Sequence, residues 1–170
     1  NSVGVFDTSP LYKYAVTGPD AERLLAGALT RDIRTCRPGQ AQYTAWCDDR
    51  GFVMHDGVVF RHSPDRSGAD EFLLSAARPA LSWFQELATG LRVELEDVTD
   101  DYGMLAVQGP RSRAVLAALM PEAESLGYFD HAATKIGGAA VTLSRTGYTG
   151  DLGFELTVPA DDAVAVLDAV

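Results

Sequence analysis

Asp56 is the residue whose setting most invites chemistry. It stands in the run Tyr43-Thr-Ala-Trp-Cys-Asp-Asp-Arg-Gly-Phe-Val-Met-His-Asp-Gly-Val-Val-Phe-Arg61, an aromatic-rich segment, a polar turn and a second apolar segment. As a strand, the second segment repeats every two residues, which puts Met54, Asp56, Val58 and Phe60 on one face and Val53, His55, Gly57, Val59 and Arg61 on the other. A carboxylate among apolar neighbours is costly to ionise without a donor or a cation, so it is either partnered or reserved for proton transfer or orientation. Two readings stand at this level: a structural Asp bonding local amides near a hairpin end, and a catalytic carboxylate. His55 faces the other way by alternation and reads as structural or specificity-setting, not as a metal ligand.

A second candidate is the loop Arg145-Thr-Gly-Tyr-Thr-Gly-Asp-Leu-Gly153, followed by Phe154 and Glu155. Its glycines permit positive φ or close approach of backbone to a ligand, but the loop lacks the GxxxxGK[ST] order of a phosphate cradle. Tyr148 and Glu155 add an aromatic ring and an acceptor-rich carboxylate. Cys36 and Cys47 lack CxxC spacing, and with the scattered His55, His62 and His131 they make no metal framework, so no metal is expected. Ser9 has no base beside it in sequence and is a poor candidate nucleophile.

The elements that must position these groups are legible in outline. Leu11 to Thr17 has the content of a strand; Gly18-Pro19-Asp20 breaks it and starts a helix carrying Ala21, Leu24, Leu25 and Leu29. The same order recurs where Leu105-Ala-Val-Gln-Gly109-Pro110 leads into a helix with Val115, Leu116 and Leu119. Two copies of strand, Gly-Pro break and helix predict a pseudo-symmetric α+β domain of split βαβ type. Between them lie the Tyr43 and Asp56 strands, a Gly/Ser/Asp/Pro loop from Ser63 to Asp70, a strand at Glu71 to Ser75, a helix with the apolar stripe Leu81, Trp83, Phe84 and Leu87, and a strand from Arg92 to Val98. That stripe reads as core packing. The final third holds strands at Ala139 to Ser144 and Phe154 to Val158, then a helix from about Asp161.

Composition bounds the function classes. The 170 residues, 46% hydrophobic and 22% charged, are ordinary for folded protein and long enough for one substantial core or two small ones. A formal charge of -10 argues against nucleic acid or an anionic membrane as the main partner, since both call for a basic surface. Arg31, Arg34 and Arg37 lie close in sequence and read as a solvated face. No apolar run approaches the ~20 residues of a membrane span, and the first residues do not read as a signal peptide. The expectation is a soluble protein in a reduced, cytoplasmic setting.

Asp7-Thr-Ser9, Val16-Thr-Gly-Pro-Asp-Ala21, Pro38-Gly to Tyr43-Thr, Gly51 to Arg61, Glu96-Asp-Val-Thr-Asp-Asp101, Leu105 to Pro110, Arg145-Thr-Gly-Tyr-Thr-Gly150 and Gly153-Phe-Glu155 are together distinctive. In order and spacing the chain resembles the folate-dependent aminomethyltransferase family, the T-protein of the glycine cleavage system and its relatives. The block Arg145 to Gly150 with Gly153-Phe-Glu155 is the most specific part of the likeness. The resemblance implies a tetrahydrofolate site where a one-carbon unit passes to or from N5 of the pterin. In glycine cleavage the donor is an aminomethyl group on a lipoyl arm of a partner protein, and methylene-tetrahydrofolate and ammonia are the products. The resemblance assigns the catalytic aspartate to Asp56 and folate-pocket positions to Tyr43, Val58 and Phe60. It assigns the pterin-pairing carboxylate to Glu155 and an aromatic beside it to Tyr148.

It also implies a domain plan: residues 1–37 and 95–170 as a discontinuous folate-binding domain, residues 38–94 as an inserted second domain, and the family's C-terminal barrel domain absent from this chain. Two departures bear on the donor. The family's Gly-Gly and Asp-Asp-Leu run is here Gly51-Phe52 and His55-Asp56-Gly57, and a tyrosine common four positions after the key aspartate is Phe60. The partner expected is therefore a lipoyl carrier protein or a small methylated donor, with no nucleic acid and no membrane; the acidic charge favours the small donor. The alternatives to aminomethyl transfer are a tetrahydrofolate-dependent demethylase and a non-catalytic folate-binding protein of the same fold, although the Lys-Gly-Cys-Tyr signature of the iron–sulfur assembly relatives is missing.

Overall fold

The computed structural model describes residues 2–63 and 70–170; the loop expected from Ser63 to Asp70 falls mostly outside them. Short runs rich in apolar residues, continuous in β5 and β7, build β1 (Gly4–Asp7), β2 (Tyr12–Thr17), β3 (Gln40–Cys47), β4 (Val53–Arg61), β5 (Glu71–Ala76), β6 (Glu94–Asp97), β7 (Tyr102–Gln108), β8 (His131–Ile136), β9 (Ala139–Ser144) and β10 (Gly153–Pro159). Leucine- and alanine-bearing stretches build the short helices α1 (Ala21–Ala28), α2 (Leu81–Leu87), α3 (Ser112–Ala117), α4 (Glu122–Ser125) and α5 (Ala163–Ala169). None of these is long and apolar enough to cross a membrane.

The strands pair into two antiparallel sheets, β3-β4-β5-β2-β6 and β1-β7-β10-β9-β8, so the class is α+β. Leu11–Thr99 forms one compact unit around the first sheet; the chain up to Pro10 with Asp100–Val170 forms the other around the second. These limits differ from those expected. Residues 11–37 belong with 38–94, and β6 stays in that unit instead of returning to the other. Pairing decides this: β2 lies between β5 (Tyr12↔Ala76 to Thr17↔Glu71) and β6 (Tyr14↔Asp97 to Thr17↔Glu94). Leu24 and Leu25 of α1 then complete a core shared with Trp46, Phe72, Leu74 and Phe84. The side chains of Trp83 and Phe84 pack on Trp46 with ring centroids 6.4 and 5.5 Å away, so Leu81, Trp83 and Phe84 of the α2 stripe belong to the core while Leu87, at its end, is exposed.

The repeat read from sequence places one copy in each unit. In both, the strand before the Gly-Pro break lies beside the last strand of a three-strand meander, β3-β4-β5 in one case and β8-β9-β10 in the other. The break needs glycine for the same reason twice. Gly18 has φ +107 and a Cβ there would lie 2.6 Å from the Arg92 carbonyl oxygen; Gly109 has φ +122 and its Cβ would lie 2.5 Å from that of Ser2. Positive φ and a backbone at that distance exclude a side chain at either turn. The second unit has its own core of Val107, Leu116, Met120, Leu143, Phe154, Leu156 and Val158.

Candidate functional site

In the Leu11–Thr99 unit, the β3–β4 hairpin carries Asp56. Gly57 to Arg61 of β4 pair with β5, whereas Val53 to Asp56 run on beyond it, paired with β3 alone. The end of the hairpin is therefore open: Phe52, Val53, Met54 and Asp56 are exposed. This corrects the expectation of an Asp held among apolar neighbours. Alternation is kept, but a missing neighbour strand leaves the carboxylate in solvent. Its partner is Tyr43 across the ladder, whose hydroxyl donates to Asp56 Oδ2 at 2.5 Å. That bond to a carboxylate, with the charge behind it, holds the Tyr43 phenol above its usual range, so Tyr43 stays a donor.

Tyr43 opposes Val58, and Val58 in turn opposes Ser75, one row across the sheet. Val58 is half-buried, while Phe60, opposite Ala41 and Leu73, is buried. His55 lies on the other face, its ring edge-on to Trp46 at 6.2 Å, in keeping with the structural role. The structure thus groups Tyr43, Asp56 and Val58 at the hairpin and puts Phe60 in the packed part of the same face.

Glu155 belongs to the other unit. It lies on β10 between Ala106 of β7 and Ser144 of β9 and is 7% exposed. Its carboxylate accepts a hydrogen bond from the Thr146 hydroxyl, which is itself bonded to Ser144 Oγ at 2.8 Å. Burial pushes the Glu155 carboxyl above the usual carboxylate range, and the Thr146 bond pulls it partly back. Among the described residues no cation pairs with it. Tyr148, expected beside Glu155, is 76% exposed on the loop, and it is Thr146 that touches the carboxylate.

Gln108, at the end of β7, was not singled out by its residue type, yet it holds this loop. Its Nε2 donates to the Phe154 oxygen at 3.0 Å and to the Thr146 oxygen at 3.4 Å, and its Oε1 accepts from Thr149 at 2.9 Å. A Cβ at Gly147 or Gly153 would fall on the Gln108 amide, which is why those positions are glycine. The only sequence signal was its place before Gly109 in the repeated break.

A raised carboxyl has a stability consequence with a definite sign. Between the ordinary carboxylate range and the raised value the folded protein binds more protons than the unfolded chain, so stability falls as pH rises through that window. We expect Glu155→Gln to remove this slope. Relative to wild type the variant should gain thermal stability from pH 4 to pH 8, by melting of the full-length protein. A difference independent of pH would show that Glu155 is not the desolvated acid its burial makes it.

The whole chain, residues 1–170, matches the family model described as the GCVT N-terminal domain. A probable aminomethyltransferase of Halobacterium salinarum is 40% identical over 174 residues, covering 99% of this chain and 48% of the relative. A trimethylamine-oxide aldolase of Ruegeria pomeroyi is 39% identical over 178 residues, covering 98% of this chain and 22% of the relative. The crystal structure of the glycine cleavage system aminomethyltransferase T from Bartonella henselae superposes with a TM-score of 0.84 at 27% identity, over 98% of this chain and 45% of that one. The chain spans about half the length of the aminomethyltransferases it matches. A match over its full length, at this identity and with this fold, means that the chain belongs to the GCVT N-terminal domain family.

Proposed function

We propose that the protein is a tetrahydrofolate-dependent one-carbon transferase that moves an aminomethyl group, with Asp56 as its catalytic carboxylate. The observation that carries this reading is the Tyr43–Asp56 pair: a charged acceptor in reach of solvent, oriented by a phenol held as donor. The residues also suit a folate. Glu155 is a buried carboxylate with a single neutral hydroxyl donor, and a pterin edge offers the N–H groups it lacks. Tetrahydrofolate supplies N5 as the acceptor of the one-carbon unit. Asp56 accepts a hydrogen bond from the bound folate and fixes the direction of attack, Tyr43 keeps the Asp56 carboxylate from turning away, Val58 gives an apolar wall, and Glu155 reads the pterin's donor edge.

The donor is an aminomethyl group on a lipoyl carrier in the first reading and a small methylated amine in the second. The second reading is kept for two observations, the 39% identity to a relative named for trimethylamine oxide and Phe60, which supplies no hydroxyl.

Calorimetric titration of tetrahydrofolate into the full-length protein tests the cofactor. Wild type should bind, and Glu155→Gln, which exchanges one acceptor oxygen for a donor facing donors, should bind at least ~10-fold more weakly, as the loss of a buried charged hydrogen bond predicts. Absence of binding by folded wild type, or equal binding by the variant, would overturn the folate assignment.

A further inference from the structure

Arg145 opens the glycine-rich loop, yet neither the fold nor the proposed transfer uses its charge. Its side chain is half-buried and has no carboxylate within ion-pair distance among the described residues. It makes one long bond, Nη1 to the Leu126 oxygen at 3.5 Å, and its guanidinium carbon stands 5.9 Å from the centre of the Tyr128 ring. Most of its five donors are left for something else. Arg145 and Tyr128 line a pocket of about 340 Å³ together with Thr146, Gly147, Gly150 and Asp151, all in one unit.

Asp151 is the second charge in that pocket and it too lacks a cation among the described residues. Its Oδ1 takes the Leu152 N–H at 2.8 Å. Two opposite charges that share a small pocket gain by closing on each other unless the backbone holds them apart. Here it does. Asp151 is tied to its own turn. Arg145 is fixed at both backbone groups, its N–H donating to the Asp130 oxygen at 2.9 Å and its oxygen accepting from Phe129 N at 3.1 Å. Phe129, at φ 63, is the one non-glycine residue with positive φ among the described residues. That costly turn puts Tyr128 against the guanidinium.

We propose that this pocket binds the zwitterionic head of a free α-amino acid, its carboxylate on Arg145 and its ammonium on Asp151. A guanidinium grips a carboxylate with two parallel bonds, and the bare backbone at Gly150, with nothing within 4 Å of where a Cβ would stand, leaves room for the ligand to approach. Phosphate is the poorer fit, because a dianion would meet the Asp151 carboxylate; a simple amine would meet Arg145. Tyr128 offers a flat wall for the ligand's side chain. This assignment does not rest on the folate reading.

The test is ligand-observed NMR on the full-length protein with each of the twenty standard amino acids at about 10 mM, suited to millimolar or tighter binding. At least one should bind. Its N-acetyl and its carboxamide forms should each bind about tenfold more weakly, the loss of one charge contact. Arg145→Gln should abolish the penalty for the amide, and Asp151→Asn, on an exposed turn that tolerates the change, should abolish the penalty for acetylation. If no amino acid binds the folded protein, or if both penalties survive in Asp151→Asn and Arg145→Gln, the assignment is wrong.

Discussion

Asp56→Asn should lower the turnover of tetrahydrofolate-dependent transfer by two to four orders of magnitude in the full-length protein, with the apparent affinity for tetrahydrofolate falling by no more than about tenfold, the cost of the one hydrogen bond Asp56 accepts from it. The substitution is nearly isosteric, and the Tyr43 hydroxyl can still donate to the amide oxygen, so the hairpin keeps its shape. What is lost is the charge and one acceptor face. Because Asp56 is exposed and carries no cation partner among the described residues, its removal leaves no orphaned charge behind, and the fold should melt within a few degrees of wild type. Tyr43→Phe gives the complementary result. The carboxylate remains but is free to rotate, so turnover should fall by roughly tenfold, the cost of one orienting bond. Steady-state kinetics with the donor that supports turnover, beside thermal melts, decide it. Retention of turnover within about threefold in Asp56→Asn would remove Asp56 from the reaction.

Local order was legible and long-range pairing was not. The period-two pattern of Val53 to Arg61 predicted which side chains share a face, and Tyr43, Asp56, Val58 and Phe60 do lie on the face away from Trp46 and His55. The same pattern could not say that β5 stops pairing at Gly57, and this single fact makes Asp56 exposed. The Gly-Pro breaks were readable because positive φ and a close carbonyl leave only glycine. The home of β2 was not, since it depends on partners about 60 and 80 residues away in the chain. β8, His131-Ala-Ala-Thr-Lys-Ile136, carries little strand signal in sequence because two of its residues are alanine and Thr134 and Ile136 alone are β-branched. Gln108 escaped for a chemical reason. An amide signals nothing in sequence until its partners, two carbonyls and a hydroxyl of the 146–154 segment, are seen around it.

Gly57→Ala should destabilise the protein by about 3 kcal/mol or more, although it adds one methyl group to a strand. Gly57 does not need its glycine for φ; it needs it for space. A Cβ there would press into the Ser75 carbonyl oxygen of β5 and meet the Trp46 ring at 3.3 Å and a Leu74 methyl at 3.4 Å. None of these can yield cheaply, because Ser75 is backbone of a paired strand, and Trp46 and Leu74 are fully buried. The relief available is to part β4 from β5 at the first residue they pair, the residue next to Asp56. A shift there tilts the open end of the hairpin and stretches the Tyr43–Asp56 bond, so the loss of turnover in any folded fraction should exceed that of a change elsewhere in the sheet. Gly27→Ala is the matched control. Gly27 is exposed in α1 with nothing near its Cβ position, and there the same methyl should stabilise by about 0.5–1 kcal/mol through helix propensity. Melting both variants gives shifts of opposite sign from one chemical change. If Gly57→Ala melts with wild type, β4 does not sit on β5 in this register, and the exposed Asp56 that follows from the register falls with it.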